Sequence, residues 1–289
     1  MVILRLSRSL RRGCVALPLV AALLAPTAAV GDERPVPEHL FGSAIRTMPT
    51  QEKVVALTFN AAWNDEGLDA VLSVLREEKA SATFFPTGDF AERLPDAVRR
   101  IAAAGHGLGN HSHTHPHFGS LTPAGRAAEV NAADDAVRVA AGTEPLPFFR
   151  FPYGDTTPTQ IAEVNSLGYA DIEWTTDTNG YLGPAGGMTV EKVVDRALAA
   201  LTPGEIIQMH VGQGTGQGPV LDADALPEII DAVRARGYEI VDLRTLLTAP
   251  AAPAVTQQRD AGVLMPALVP WDSASAAMRS GPGLPLRLW

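Results

Sequence analysis

The sequence predicts an α/β fold, a distorted (β/α) barrel of about seven strand–helix units. Short apolar, β-rich runs alternate with stretches of helical periodicity between residues 54 and 247. The alternation is regular, which favours a closed or nearly closed parallel barrel over an open doubly wound sheet. The chain has 289 residues, 46% of them hydrophobic and 19% charged, which is enough for one large domain and excludes a disordered or collagen-like chain.

The elements follow in order. Val54–Phe59 reads as a strand. Leu68, Val71, Leu72 and Leu75 recur at i, i+3, i+4 and i+7, one face of a helix. Ala82–Phe85 is a strand and Phe90–Ala103 a helix. Gly107–Asn110 is short and glycine-rich but sits where a third strand belongs. Ala124–Ala141 is alanine-rich and helical. Phe148–Phe151 and Ala170–Trp174 read as strands, with a helix at Thr159–Leu167 between them. Val190–Leu201 is a helix and Ile206–His210 a strand. Leu226, Ile229, Ile230 and Val233 mark the next helix, and Glu239–Val241 closes the series.

The ends stand apart from this domain, which spans 53–247. Residues 1–31 read as a secretion signal: Arg5, Arg8, Arg11 and Arg12 precede the apolar run Val15–Ala25, and Thr27-Ala28-Ala29 offers small residues for cleavage. The run is short for a membrane span and Pro18 and Pro26 interrupt it, so the alternative is an uncleaved anchor. The expected location is secreted or cell-envelope. Residues 32–52 form an N-terminal extension, and 248–289 a Pro/Ala-rich tail.

Charge and cysteine content exclude some functions. The chain carries 23 basic and 32 acidic residues, and −13 once the four signal arginines leave. An acidic chain is poorly suited to nucleic acid. The one cysteine, Cys14, lies in the signal, so the domain has no cysteine-based metal site or nucleophile. The Gly212–Gly218 stretch lacks the Lys-Ser/Thr and helix start of a phosphate loop.

Polar clusters follow five strand ends, and in a parallel α/β fold that edge carries the ligand site. They are Asn60–Asp65, His111–His117, Arg150–Asp155, Trp174–Asp177 and Met209-His210. His111 and His115 are four apart, so on a helical turn their imidazoles face one way, a spacing that suits zinc or a similar ion. Solvated loop residues are the plain alternative. His113 and His117 read as bystanders. His210 ends an apolar strand, and Asp177 one strand away can fix its tautomer and suit it to general acid work. Arg150, among Phe148, Phe149 and Phe151, calls for a carboxylate partner, with Asp65 and Asp177 the candidates.

These clusters resemble the polysaccharide deacetylases of the NodB-homology type, carbohydrate esterase family 4, from about Val54 to Leu247. Leu57-Thr58-Phe59 opens like the family's first motif. Asn110-His111-Ser112 through His115-Pro116 is similar to its metal-binding motif, and Arg150-Phe151-Pro152-Tyr153 to its Arg-x-Pro-Tyr groove wall. Asp177 falls where the family places the carboxylate that orients its catalytic acid, and Met209-His210 matches its late histidine. The resemblance implies a NodB-type barrel that removes acetyl groups, N-acetyl above all, from cell-wall or chitin-like glycans with a divalent metal, zinc. It also implies a metal held by His111 and His115, catalysis by His210, Asp177 and Arg150, and an oxyanion contact from the Tyr153 backbone N–H.

The first motif departs from the family. Where relatives carry Phe-Asp-Asp-Gly, a catalytic base followed by a metal ligand, this chain has Asn60 and Ala61. Some relatives have a divergent first motif with Trp, and Trp63 brings this chain nearer to them. Asp65 is the nearest carboxylate and the candidate third metal ligand, or else a first-turn acid of the helix that follows. Trp63, Tyr153 and Trp174 are candidates for stacking on sugar rings. Two rivals remain: a glycan-binding relative that has lost the chemistry, and a metal-binding protein that ignores glycans.

Overall fold

The structure is a computed structural model that describes residues 36–214 and 218–248. The signal read at 1–31, the tail beyond Thr248 and the centre of the Gly212–Gly218 stretch lie outside the described residues. Among the described residues no helix is long and apolar enough to cross a membrane.

The main sheet is parallel, in the order β3-β2-β1-β7-β6, with β8 paired to the start of β1. These strands are β1 (Val54–Ala61), β2 (Thr83–Pro86), β3 (Gly107–Leu108), β6 (Thr176–Asp177), β7 (Glu205–His210) and β8 (Glu239–Val241). A second parallel pair joins β4 (Phe148–Phe149) to β5 (Ala170–Asp171). Single bridges connect the two: Asn110 with Phe149, Ile45 with Ile172, and Thr47 with Glu205. This is a distorted (β/α) barrel in which isolated bridges, not continuous ladders, link the two sheets.

Side-chain alternation sorts each strand into two faces. On β1, Val55, Leu57, Phe59 and Ala61 face the outer layer, where they pack under the helices with Ile207 and Met209 of β7. The outer layer includes α1 (Leu68–Glu77), α3 (Pro95–Ala103), α6 (Val190–Ala199) and α7 (Leu221–Ala235). Ala56 and Ile206 face the interior, which Phe85, Phe148 and Ile172 fill. Val36, Leu40, Ile45 and Met48, from the stretch set apart as an extension, belong to that same interior cluster. A third cluster of Phe118, Val130, Phe149, Phe151 and Ile161 lies with α4 (Pro123–Ala141) and α5 (Pro158–Ser166).

Two elements differ from the expectation. The helix expected over Phe90–Ala103 is two helices, α2 (Gly88–Arg93) and α3, broken at Leu94. Pro95 is the cause: it has no N–H, and its ring pushes the preceding residue out of the α region, here to φ −128° and ψ 53°. The strand expected over Ala170–Trp174 is β5 followed by a separate β6. Its amides change partners along the way: Ile172 N–H donates to Phe149 O, Glu173 N–H to Ile45 O and Thr175 N–H to Ile206 O. The chain thus passes from one sheet to the other within a few residues.

Threonine caps the starts of α2, α4, α5 and α6. Thr87, Thr122, Thr157 and Thr189 each accept a bond from the backbone N–H three residues on. Each such cap is worth about 1 kcal/mol. A last short helix, α8 (Thr245–Thr248), ends the described chain.

Candidate active site

The interior face of β1 and β7 reaches the rim as polar side chains. Register pairs Thr58 with Gln208 and Asn60 with His210. Period 2 therefore puts Asn60, Gln208 and His210 on one face, at the carboxyl ends of the strands. They line a pocket of about 260 Å³ together with His111, His115, Tyr153, Trp174, Asp177 and Tyr181.

His111 and His115 meet there, ring centroids 4.8 Å apart and planes at 78°. They do not sit on a helical turn. The segment between β3 and Phe118 is a loop, with Ser112 at φ 65° and His115 at φ 57°. Side chains hold it in place of helix bonds. Asn110 Oδ1 accepts the Ser112 N–H at 3.0 Å, and Ser112 Oγ accepts the His115 N–H at 3.1 Å. Glu129 of α4 accepts the N–H groups of His113 and Thr114 at 2.8 and 2.7 Å. The imidazoles converge because the loop is pinned from outside, not because of helical spacing.

Both rings are in the form a metal needs. His111 Nδ1 lies 2.8 Å from the Arg150 carbonyl, which fixes Nδ1 as the donor and leaves Nε2 with its lone pair. Desolvation holds the His111 imidazole well below its ordinary pKa, and pulls His115 down to about 4, so both are neutral. His111 Nε2 and His115 Nδ1 are buried without a hydrogen-bond partner. Two neighbouring imidazoles, each with an orphaned nitrogen, fit a borderline cation. Among the described residues no group of three His, Cys, Asp or Glu could hold a metal ion. Asp65 is not among the pocket-lining residues; its backbone carbonyl accepts the Leu68 N–H at the start of α1.

Arg150 is fully buried beneath the pocket. Its Nε donates to the Ile172 carbonyl at 3.0 Å, Nη2 to the Glu173 carbonyl at 3.2 Å and Nη1 to Asn60 Oδ1 at 3.0 Å. The guanidinium carbon also lies 4.1 Å from the Phe85 ring centroid. Neither expected carboxylate bonds it directly. Burial lowers its pKa to about 10, against the opposing fields of Glu173, Asp177 and Asp171. Burial raises Glu173 and Asp171 above the ordinary carboxylate range.

Asn60 continues the chain of bonds. Its Nδ2 donates to Gln208 Oε1 at 3.2 Å, and Gln208 Nε2 donates to Asp177 Oδ2 at 2.9 Å. Asp177 Oδ1 accepts the Asn179 N–H at 2.8 Å. Asp177 thus faces the pocket, held by Gln208, while the carboxylate at His210 is Asp222: its Oδ2 is 3.7 Å from His210 Nδ1. α7 thus brings a second carboxylate, Asp222, against the end of β7, while Asp177 shares the pocket with His210.

The aromatic residues divide. Trp174 lines the pocket, and Tyr153 stands at its mouth with its ring 4.7 Å from His115 and 4.0 Å from His117, the latter stacked. Tyr153 holds φ 63°, a backbone conformation that costs roughly 1–3 kcal/mol for a bulky residue and marks functional sites. Trp63 is 6.1 Å from the His115 ring but does not line the pocket; Arg93 binds the carbonyls of Ala62 and Trp63 and fixes that loop. Gln208, Tyr181 and Asp222 were not read from the sequence. A glutamine inside an otherwise apolar strand is the signal for the first. Asp222 reads as an ordinary first-turn helix acid.

The barrel thus carries a polar pocket at its strand ends, with two imidazoles, a carboxylate and a third histidine. A polysaccharide deacetylase family profile matches residues 47–172. The chain is 34% identical over 200 residues to a chitooligosaccharide deacetylase of a Bradyrhizobium species, covering 66% of this chain and 90% of that protein. It is 29% identical over 199 residues to a peptidoglycan-N-acetylglucosamine deacetylase of Bacillus cereus, covering 68% and 70%. A Bacillus anthracis protein described as a family 4 pseudoenzyme superposes with a TM-score of 0.65 at 25% identity, over 73% of this chain and 70% of that one. A mutant of that protein is described as having restored enzymatic activity. This chain belongs to the polysaccharide deacetylases, carbohydrate esterase family 4 of NodB homology. The deacetylases of this family are hydrolases acting on carbon–nitrogen bonds.

Proposed function

We propose that this protein is a metal-dependent deacetylase that removes N-acetyl groups from cell-wall or chitin-like glycans outside the cytoplasm. The observation that carries the reading is the pair of neutral imidazoles, His111 and His115, with orphaned nitrogens in the pocket that also holds His210. The relatives named for chitooligosaccharide and peptidoglycan support the substrate class.

His111 and His115 would hold the divalent ion, with zinc suited to the nitrogen donors. When bound, the ion polarises the acetyl carbonyl and acidifies water. The rest falls to the chain. Asn60 cannot accept a proton at neutral pH, and Ala61 has no donor atom. Asp177 is the carboxylate among the lining residues, and it takes the proton from the attacking water. The Tyr153 backbone N–H stabilises the oxyanion. His210 protonates the departing amine. Arg150 sets the positive field beneath Asn60, and Trp174 walls the sugar.

Acetate release from N-acetylglucosamine oligomers and from peptidoglycan tests this, with and without zinc or chelator. Zinc-dependent release is expected. Absence of release from every acetylated glycan, with glycan binding retained, would instead favour a binding protein that has lost the chemistry. The replaced first motif and the pseudoenzyme neighbour point to that second reading. Export through residues 1–31 is part of the proposal, and N-terminal sequencing of the mature protein checks it.

A further inference from the structure

Asp222 opens α7 and is fully buried. A buried carboxylate is stable only when its oxygens are engaged. Oδ1 accepts the Thr178 hydroxyl at 2.6 Å, and Oδ2 accepts the backbone N–H of His210 at 2.9 Å. The same Oδ2 stands 3.7 Å from His210 Nδ1. Gly180 closes the remaining side: a Cβ there would lie 2.2 Å from Oδ1, so only glycine lets this loop pass. On the other flank the Tyr181 ring sits 4.6 Å from the His210 ring. The carboxylate is therefore clamped by Thr178, Gly180 and the His210 backbone, and it presents one oxygen to the Nδ1 side of the imidazole.

We infer that Asp222 is the positioning residue for His210, holding Nδ1 as the protonated nitrogen so that Nε2 serves the pocket. Asp177, held by Gln208 and the Asn179 N–H, is then the carboxylate that faces the attacking water. The inference rests on the deacetylase reading for its catalytic consequence, but not for its geometry. Contact between a carboxylate and one imidazole nitrogen selects the tautomer, as a hydrogen bond to one nitrogen decides what the other can do. At 3.7 Å the contact acts through charge, the carboxylate favouring a proton on the near nitrogen.

The test uses protein labelled with ¹⁵N in the histidine rings. Long-range ¹H–¹⁵N spectra of the wild type should show His210 protonated at Nδ1. Asp222→Asn should shift the His210 pattern toward the other tautomer or a mixture, and Asp177→Asn should leave it in place. Thr178→Val loosens Asp222 without touching His210, and should move the same signals in the same direction; it serves if Asp222→Asn does not fold. Acetate release by Asp222→Asn should fall about 10–100-fold in kcat with KM little changed. Unmoved His210 signals in the folded Asp222 and Thr178 variants, or a tautomer change produced by Asp177→Asn instead, would overturn the assignment. A wild type that releases no acetate defeats the deacetylase reading alone, since the spectra still report on Asp222.

Discussion

Asn60 Oδ1 accepts a hydrogen bond from Arg150 Nη1 at 3.0 Å across the floor of the pocket. The amide answers a buried guanidinium without bringing a charge of its own. Its N–H group then passes the polarity on to Gln208, and Gln208 passes it to Asp177. Negative charge in the pocket therefore lies at the end of β6, not at the end of β1 where the family's first motif would place it. The substitution in the first motif reorganises the floor and leaves it fully hydrogen-bonded at Arg150.

Arg150 is the centre of that floor, so its loss should be costly. Arg150→Met leaves two carbonyls and Asn60 Oδ1 without their donor and strips the buried carboxylates Glu173 and Asp171 of their cation. Breaking a buried charge arrangement in this way costs about 3–5 kcal/mol. Urea unfolding should show that loss. Arg150→Lys keeps the charge but not the fork, and should fall between. A lysine variant as stable as the wild type would mean the fork contributes nothing.

Gln208 is predicted to matter for both stability and turnover. Gln208→Leu removes one bond to Asn60 and one to Asp177, and should destabilise by about 1–3 kcal/mol. Acetate release should drop as well, because Asp177 loses the donor that aims it. Thermal melts and initial rates on the same samples check the pair. Full activity with lowered stability would remove Asp177 from the chemistry.

His111→Ala should abolish zinc binding while the fold survives, since the ring meets only the Arg150 carbonyl and its neighbours in the pocket. Calorimetric titration with zinc, alongside circular dichroism, reads both quantities. Zinc binding of wild-type strength in this variant would place the ion elsewhere.

The site was legible in the sequence to the extent that strand ends dictate it. Alternation of strands and helices places Asn60, Arg150, Asp177 and His210 at one rim, and the structure brings all four into or beneath one pocket. What was not legible depends on contacts between distant segments. The bend that aligns His111 with His115 is held by Asn110 and Ser112 within the loop and by Glu129 from α4. Asp222 reaches His210 only through the packing of α7 on β7. Asp65 and Trp63 looked close in sequence, but the loop after β1 is pinned by Arg93. The break before Pro95 was readable in principle, because proline constrains the residue ahead of it.

Glu205 should give the fold a pH dependence of its own. It begins β7, is fully buried, and neither carboxylate oxygen has a hydrogen-bond partner. Desolvation raises its pKa from 4.5 to about 7, the Thr202 backbone opposing slightly. The folded state then binds this proton more tightly than the unfolded chain. Its contribution is fully present below the unfolded value and is lost as pH rises through the folded one. Stability from this group should decline between pH 4.5 and about 7 and level off above, by at most about 3 kcal/mol. Glu205→Gln cannot titrate, so the difference in unfolding free energy between wild type and variant separates the effect of Glu205 from those of Asp171 and Glu173. That difference should fall with rising pH across the window. A flat difference, or one that rises, would show that Glu205 is ionised in the folded protein and paired.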